Sequence, residues 1–162
     1  MDRRRIRNFL DIVKINKIMR KYFSKYTLEM VKEDEKEYNG QILNSECAYQ
    51  KFLEVFRLDK KAEEHLVMFG LNTRNDIIAA FLIAKGTINS ASVNVVDIIK
   101  RIIICNCKKI IMAHNHPSGN LKPSEEDINM TNKLKEVCDL MGINFIDHLI
   151  IADDCYQSII DN

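Results

Sequence analysis

The chain has 162 residues, a formal net charge of +1, 46% apolar and 29% charged residues, and only five glycines and two prolines. That length suits one domain plus an extension, and the apolar content can bury a core unaided, which excludes a loop-rich or disordered scaffold. The near-neutral balance points to no partner by itself, and no stretch approaches the roughly 20 consecutive apolar residues of a membrane helix.

Residues 1–25 hold nine Lys or Arg against Asp2 and Asp11. A basic arm therefore precedes a mildly acidic remainder, and weak non-specific contact with nucleic-acid phosphates through residues 1–25 is expected of it. Within residues 4–30, Ile12, Ile15, Met19, Tyr22 and Tyr26 recur at intervals of three and four, the spacing of an amphipathic helix. The polar run from Lys32 to Glu37 reads as a linker. It sets a boundary near Gly40, with an arm over 1–40 and a domain over 41–162. The basic start lacks the unbroken apolar segment of a secretory signal, so a cytoplasmic location is expected.

Helices and strands then alternate. Ser45 is placed to cap a helix running to about Leu58. Residues 65–71 form an apolar run of strand length, 72–75 have turn chemistry, and 76–84 read as the returning strand of a hairpin. Asn94 is placed to cap a helix reaching about Cys105, and 109–113 form a short apolar strand. The segment 114–123 holds both prolines and reads as a loop. A helix over 124–141 follows, stopped by Gly142, and 143–152 read as another strand. This order predicts an α/β domain with helices around a mixed sheet.

Five cysteines at irregular spacing form no disulfide framework and suit a reducing compartment. Cys105-Asn106-Cys107 has the spacing of a metal-binding pair but lacks a second pair, so buried thiols are the expectation. His114 and His116 are different. One residue apart on an extended backbone, their imidazoles project to one side and can converge on an ion at about 2.0–2.1 Å. Asp127, on the first turn of the following helix, can add an oxygen ligand. Three protein ligands leave one tetrahedral position for water, whose pKa zinc would lower from 15.7 toward about 7. Without a metal, the same residues read as hydrogen-bonding histidines, with Ser124 and Asp127 as a capping box.

The wording His114-Asn115-His116-Pro117-Ser118-Gly119, then Pro123-Ser124 and Asp127, resembles the JAMM signature of MPN-type metallopeptidases, and within it the RadC branch. Also similar to RadC proteins are Glu64-His65-Leu66, Leu71-Asn72-Thr73-Arg74-Asn75, Lys85-Gly86-Thr87 and Asp147-His148-Leu149-Ile150, so the resemblance spans about 42–160. The contiguous string His-Asn-His does not imply an HNH nuclease, whose three named residues are dispersed over a ββα unit. The resemblance implies an MPN (JAB/JAMM) fold, a sheet flanked by helices with cytidine-deaminase-like architecture. It implies Zn2+ held by His114, His116 and Asp127. It also implies a catalytic glutamate at Glu64, which the bare sequence reads only as an exposed carboxylate beside Glu63. For Ser124 it implies stabilisation of an oxyanion. Asn115 stands where many peptidase relatives have Ser or Thr but where the RadC branch has Asn. Longer RadC-like proteins carry an N-terminal helix-hairpin-helix region, for which this chain has only its basic arm.

The leading expectation is a zinc metallopeptidase or isopeptidase acting on a protein or peptide. The alternatives are a nucleic-acid-associated metal-binding factor or nuclease using the basic arm, and a partner-binding MPN module, against which the intact ligand set argues. His65 and His148 are expected mainly as packed, hydrogen-bonded side chains, with support of the metal site a second role open to His148.

Overall fold

The computed structural model describes residues 41–86 and 93–160. The expected arm over 1–40, with its helix over 4–30 and its nucleic-acid contact, lies outside the described residues. Among those described, no helix is long and apolar enough to cross a membrane.

Helix α1, Ser45–Phe56, is capped by Asn44, whose side chain accepts from the Cys47 N–H at 2.8 Å. The expected cap, Ser45, is instead the first helical residue, and its hydroxyl donates to Asp147 Oδ2 at 3.2 Å. Both residues can cap, and Asn44 has the extended backbone that the position requires. The helix stops two residues short of Leu58 because Arg57 turns left-handed at φ 53°, and a 3-10 turn over Leu58–Lys60 follows. The buried stripe Ala48, Tyr49 and Phe52 faces the sheet, where Phe52 stacks on Phe69 with ring centroids 4.4 Å apart.

Strand β1, His65–Leu71, is buried along its whole length, as its unbroken apolar run requires of a central strand. The turn to β2, Ile77–Lys85, is built by Asn72, whose Oδ1 accepts from the N–H groups of Arg74 and Asp76. Asn94 caps α2, Val95–Ile104, accepting from the Val96 N–H at 2.9 Å. Strand β3, Lys109–Asn115, runs two residues further than expected. His114 and Asn115 belong to the strand because they stay in register with Ile150 and Ile151 of β4, Asn144–Ala152. Helix α3, Glu125–Leu140, joins the two, and Gly142 at φ 67° ends it. A last strand, β5 (Cys155–Ser158), was absent from the sequence expectation; it is four residues long, half exposed and without alternation.

The sheet order is β2-β1-β3-β4-β5, with β3 and β4 parallel and the other pairs antiparallel. Alternation along each strand sends Val67, Phe69, Ile111, Ala113, Leu149 and Ile151 into one core with α1. The opposite face puts Leu66, Met68, Ile110 and Met112 against Ile98 and Ile102 of α2 and Leu134 of α3. The result is a mixed five-stranded sheet between helices, an α/β fold of the kind the MPN resemblance implies.

A bulge in β4 decides which side chain reaches the α3 face. Ile110 pairs with Phe145, but Met112 pairs with His148, so β4 spends one extra residue there. Such a bulge reverses which residues face which side. Strict alternation from Phe145 would aim Asp147 at the α3 face. With the bulge, His148 points there instead.

The Cys-x-Cys pair is part of the core rather than a metal site: Cys107 is buried, Cys105 half-buried, and neither forms a disulfide. Burial pushes the Cys107 thiol up to about 11, where it is protonated and inert. A Cβ at Gly70 would lie 2.2 Å from Cys107 Sγ, so only glycine lets β1 approach this thiol. Gly70→Ala is expected to destabilise by about 1–3 kcal/mol through overpacking, read as a lower urea midpoint. Gly70→Ala combined with Cys107→Ala should recover part of that loss.

Candidate metal centre

The site forms where the C-terminal end of β3 meets the N-terminus of α3. His114 is buried at the strand end, and His116 continues the ladder through its N–H to the Ile151 carbonyl at 2.8 Å. The chain then turns at Gly119, φ 77°, to reach the helix cap. Ser124 and Asp127 make a complete capping box: Ser124 Oγ accepts from the Asp127 N–H at 3.1 Å, and Asp127 Oδ2 accepts from the Ser124 N–H at 2.9 Å. The Ser124 hydroxyl donates to the same Oδ2 at 2.6 Å. The box does not exhaust the carboxylate. Its Oδ1 lies 3.4 Å from His114 Nε2, and its Oδ2 lies 3.7 Å from His116 Nε2. Capping and ligation are therefore compatible uses of one side chain.

The two Nε2 atoms lie 2.8 Å apart. His116 Nδ1 sits 2.5 Å from the Asn120 carbonyl, which can only accept, so Nδ1 carries a proton and Nε2 is the nitrogen left for an ion. One ligand atom from each of His114, His116 and Asp127 lies within 4.8 Å of the others, a group that can hold a metal ion. Burial works to raise the Asp127 carboxyl, but the adjoining His114 and His116 imidazoles and the Ser124 hydroxyl prevail and hold it far below the usual range. The neighbouring Asp127 carboxylate raises the His116 imidazole, partly opposed by burial and aided by the Asn120 carbonyl and the charge of Glu64. Two imidazole nitrogens and a carboxylate whose ionised form is favoured fit zinc.

Glu64 lies one residue before β1. Leu66 pairs with His114, and continuing that register by two residues sets Glu64 opposite His116. Glu64 is half-buried, whereas Glu63 is exposed and pairs with Lys85 at 3.2 Å. The segment is held by Asn115, which faces away from its neighbouring histidines. Its Oδ1 accepts from the His65 N–H at 2.9 Å, and its Nδ2 donates to the carbonyls of Glu63 at 3.1 Å and Lys61 at 3.3 Å.

A family model described as "RadC-like JAB domain" matches residues 42–162. The chain belongs to this family. Among its curated relatives, a "UPF0758 protein" of Enterococcus faecalis is 36% identical over 120 residues, covering 74% of this chain and 51% of that protein. Another, of Actinobacillus pleuropneumoniae, is 41% identical over 137 residues, covering 81% of this chain and 62% of its own length. The chain thus spans about half to three fifths of these relatives, whose names state no activity.

Two residues of this RadC-like domain make contacts beside the site that the sequence reading ranked second or did not read. His148, expected mainly as packing, places Nε2 2.8 Å from His114 Nδ1 and Nδ1 2.7 Å from Thr131 Oγ1. Burial, then the charge of His114, pushes its pKa well down. The other is Asn115, read only as a family variant. An Asn alternating with two histidines at a strand end must face the opposite side, and that signal was available. His65 is buried and donates from Nδ1 to the Glu63 carbonyl at 2.9 Å, a packing role. Asn115→Ala should leave those backbone groups unpaired, costing about 1–3 kcal/mol in urea unfolding while zinc content by elemental analysis is unchanged.

Proposed function

We propose that this RadC-like JAB domain is a zinc-dependent hydrolase of the metallopeptidase or isopeptidase class, acting on a protein or peptide. The observation that carries the reading is the convergence of His114 Nε2, His116 Nε2 and an Asp127 carboxylate oxygen, with Glu64 two residues before Leu66, the strand partner of His114. In this reading His114, His116 and Asp127 hold the ion. When bound, it supplies Lewis-acid polarisation of the scissile carbonyl and makes water acidic enough to react at neutral pH. Glu64 takes the proton from the attacking water and returns it to the leaving amine, which is the ordinary task of a general base that becomes an acid. Ser124 has two duties. Its hydroxyl donates to Asp127 Oδ2, so donation to an oxyanion requires the O–H to turn away from that carboxylate about the Cβ–Oγ bond.

The test is a screen of the zinc-loaded full chain on peptide, isopeptide-linked and single-stranded DNA substrates, with and without chelator. The expected result is amide cleavage that stops on chelation and returns with added zinc. Chelator-sensitive cutting of DNA with neither amide cut would replace this reading with the nuclease one, and would turn attention to the basic residues within 1–25.

A further inference from the structure

An imidazole that binds an ion through one nitrogen must carry its proton on the other. His116 meets that condition through the Asn120 carbonyl, which accepts and cannot donate. His114 has no such guarantee. Its Nδ1 faces another imidazole, His148 Nε2, at 2.8 Å, and an imidazole nitrogen can play either part. If His148 Nε2 donated, His114 would hold its proton on Nε2, turned toward the metal centre, and could not be a ligand. The choice passes one step further back. His148 Nδ1 lies 2.7 Å from Thr131 Oγ1, and a hydroxyl oxygen can accept from it.

We propose that Thr131 and His148 are positioning residues that hold His114 in its Nδ1–H tautomer, keeping the Nε2 lone pair on the metal centre. In this arrangement Thr131 Oγ1 accepts from His148 Nδ1–H, and His148 Nε2 accepts from His114 Nδ1–H. Each proton has one place, and no charge is needed on either ring. The fold has put the parts in line. Thr131 follows Asp127 by one turn on α3, so a single helix face supplies a candidate ligand and the end of the relay. The bulge in β4 turns His148, rather than Asp147, toward that face. Thr131 is 1% exposed and His148 0%, so no solvent molecule competes for these bonds. Partners of this kind, bonded behind a ligand, typically change metal affinity by about 10–100-fold when removed. The proposal rests on the metal reading given above.

Two measurements on the full chain test it. In the zinc-loaded protein labelled with 15N-histidine, two-bond proton–nitrogen spectra should show both His114 and His148 protonated on Nδ1 alone. In chelator competition, Thr131→Val and His148→Leu should each weaken zinc binding by about 10–100-fold. Thr131→Ser, which keeps the hydroxyl, should restore wild-type affinity, a rescue that a purely space-filling role would not produce. Should His148→Leu fail to fold, the nearly isosteric Thr131→Val decides. Wild-type protein that takes up no zinc overturns the metal reading and this proposal with it. Wild-type uptake matched by Thr131→Val, or a His148 proton found on Nε2, overturns the positioning role alone.

Discussion

Glu64→Gln is expected to lower hydrolysis by about 10²–10⁴-fold while zinc content and thermal midpoint stay at wild-type values. Glutamine is nearly isosteric and still hydrogen-bonds, but it cannot take a proton from water. Position 64 lies before the strand, and the bonds that hold its neighbours run through backbone groups of Lys61, Glu63 and His65 to Asn115. Those bonds survive the substitution. Glu63→Gln is the control. Glu63 is exposed, and its pairing with Lys85 is a surface contact worth about 0–1 kcal/mol at most. The measurement is kcat on whichever amide substrate the screen identifies, beside elemental analysis and a melting curve. Equal rates for Glu64→Gln and wild type would remove Glu64 from the chemistry. A dead Glu63→Gln with an active Glu64→Gln would move the role by one residue.

Double replacement, His114→Ala with His116→Ala, has the second large effect. Zinc binding should be lost altogether, since only Asp127 of the group remains. Wild type saturated at 100 times its dissociation constant gains about 2.7 kcal/mol from the ion, and the variant gains none. The metal-free variant should also be weaker by about 1–3 kcal/mol. Asp127, 5% exposed, loses the two imidazoles beside it, and His148 Nε2 loses its buried partner. Urea unfolding with zinc and with chelator separates the two losses. A double variant that zinc still stabilises would show that the ion binds elsewhere.

How much of this was legible before the structure differs from element to element. The run His65–Leu71 reads as a strand from its length and apolar continuity, and it is one, buried along its whole length. Asn94, Ser124 and Gly142 punctuate helices where their chemistry says they should. The close spacing of His114 and His116 and the distance on to Asp127 were readable as a possible ligand set, and the fold brings those donors together. Glu64 was named by resemblance alone; pairing of Leu66 with His114 adds a geometric reason that no single-strand pattern contains. Register is what the sequence withheld. The β4 bulge at Ile146 and Asp147 arises from packing between strands far apart in the chain, so His148 could not be assigned a face in advance. For the same reason β3 was read as ending at Ala113, although pairing with β4 carries it through His114 and Asn115. Asn44 and Ser45 are adjacent residues of equal capping competence, and the tertiary bond from Ser45 to Asp147 separates them. β5 is too short and too little alternating to leave a periodic trace.

The hydrolase reading and the positioning roles of Thr131 and His148 both depend on an ion at His114, His116 and Asp127. The most direct test of that ion is elemental analysis of wild-type protein purified without chelator from metal-sufficient medium. The predicted result is close to one zinc per chain, removed by chelator and recovered on adding zinc back. Negligible bound metal, with no uptake when zinc is supplied, would contradict a zinc centre in this domain.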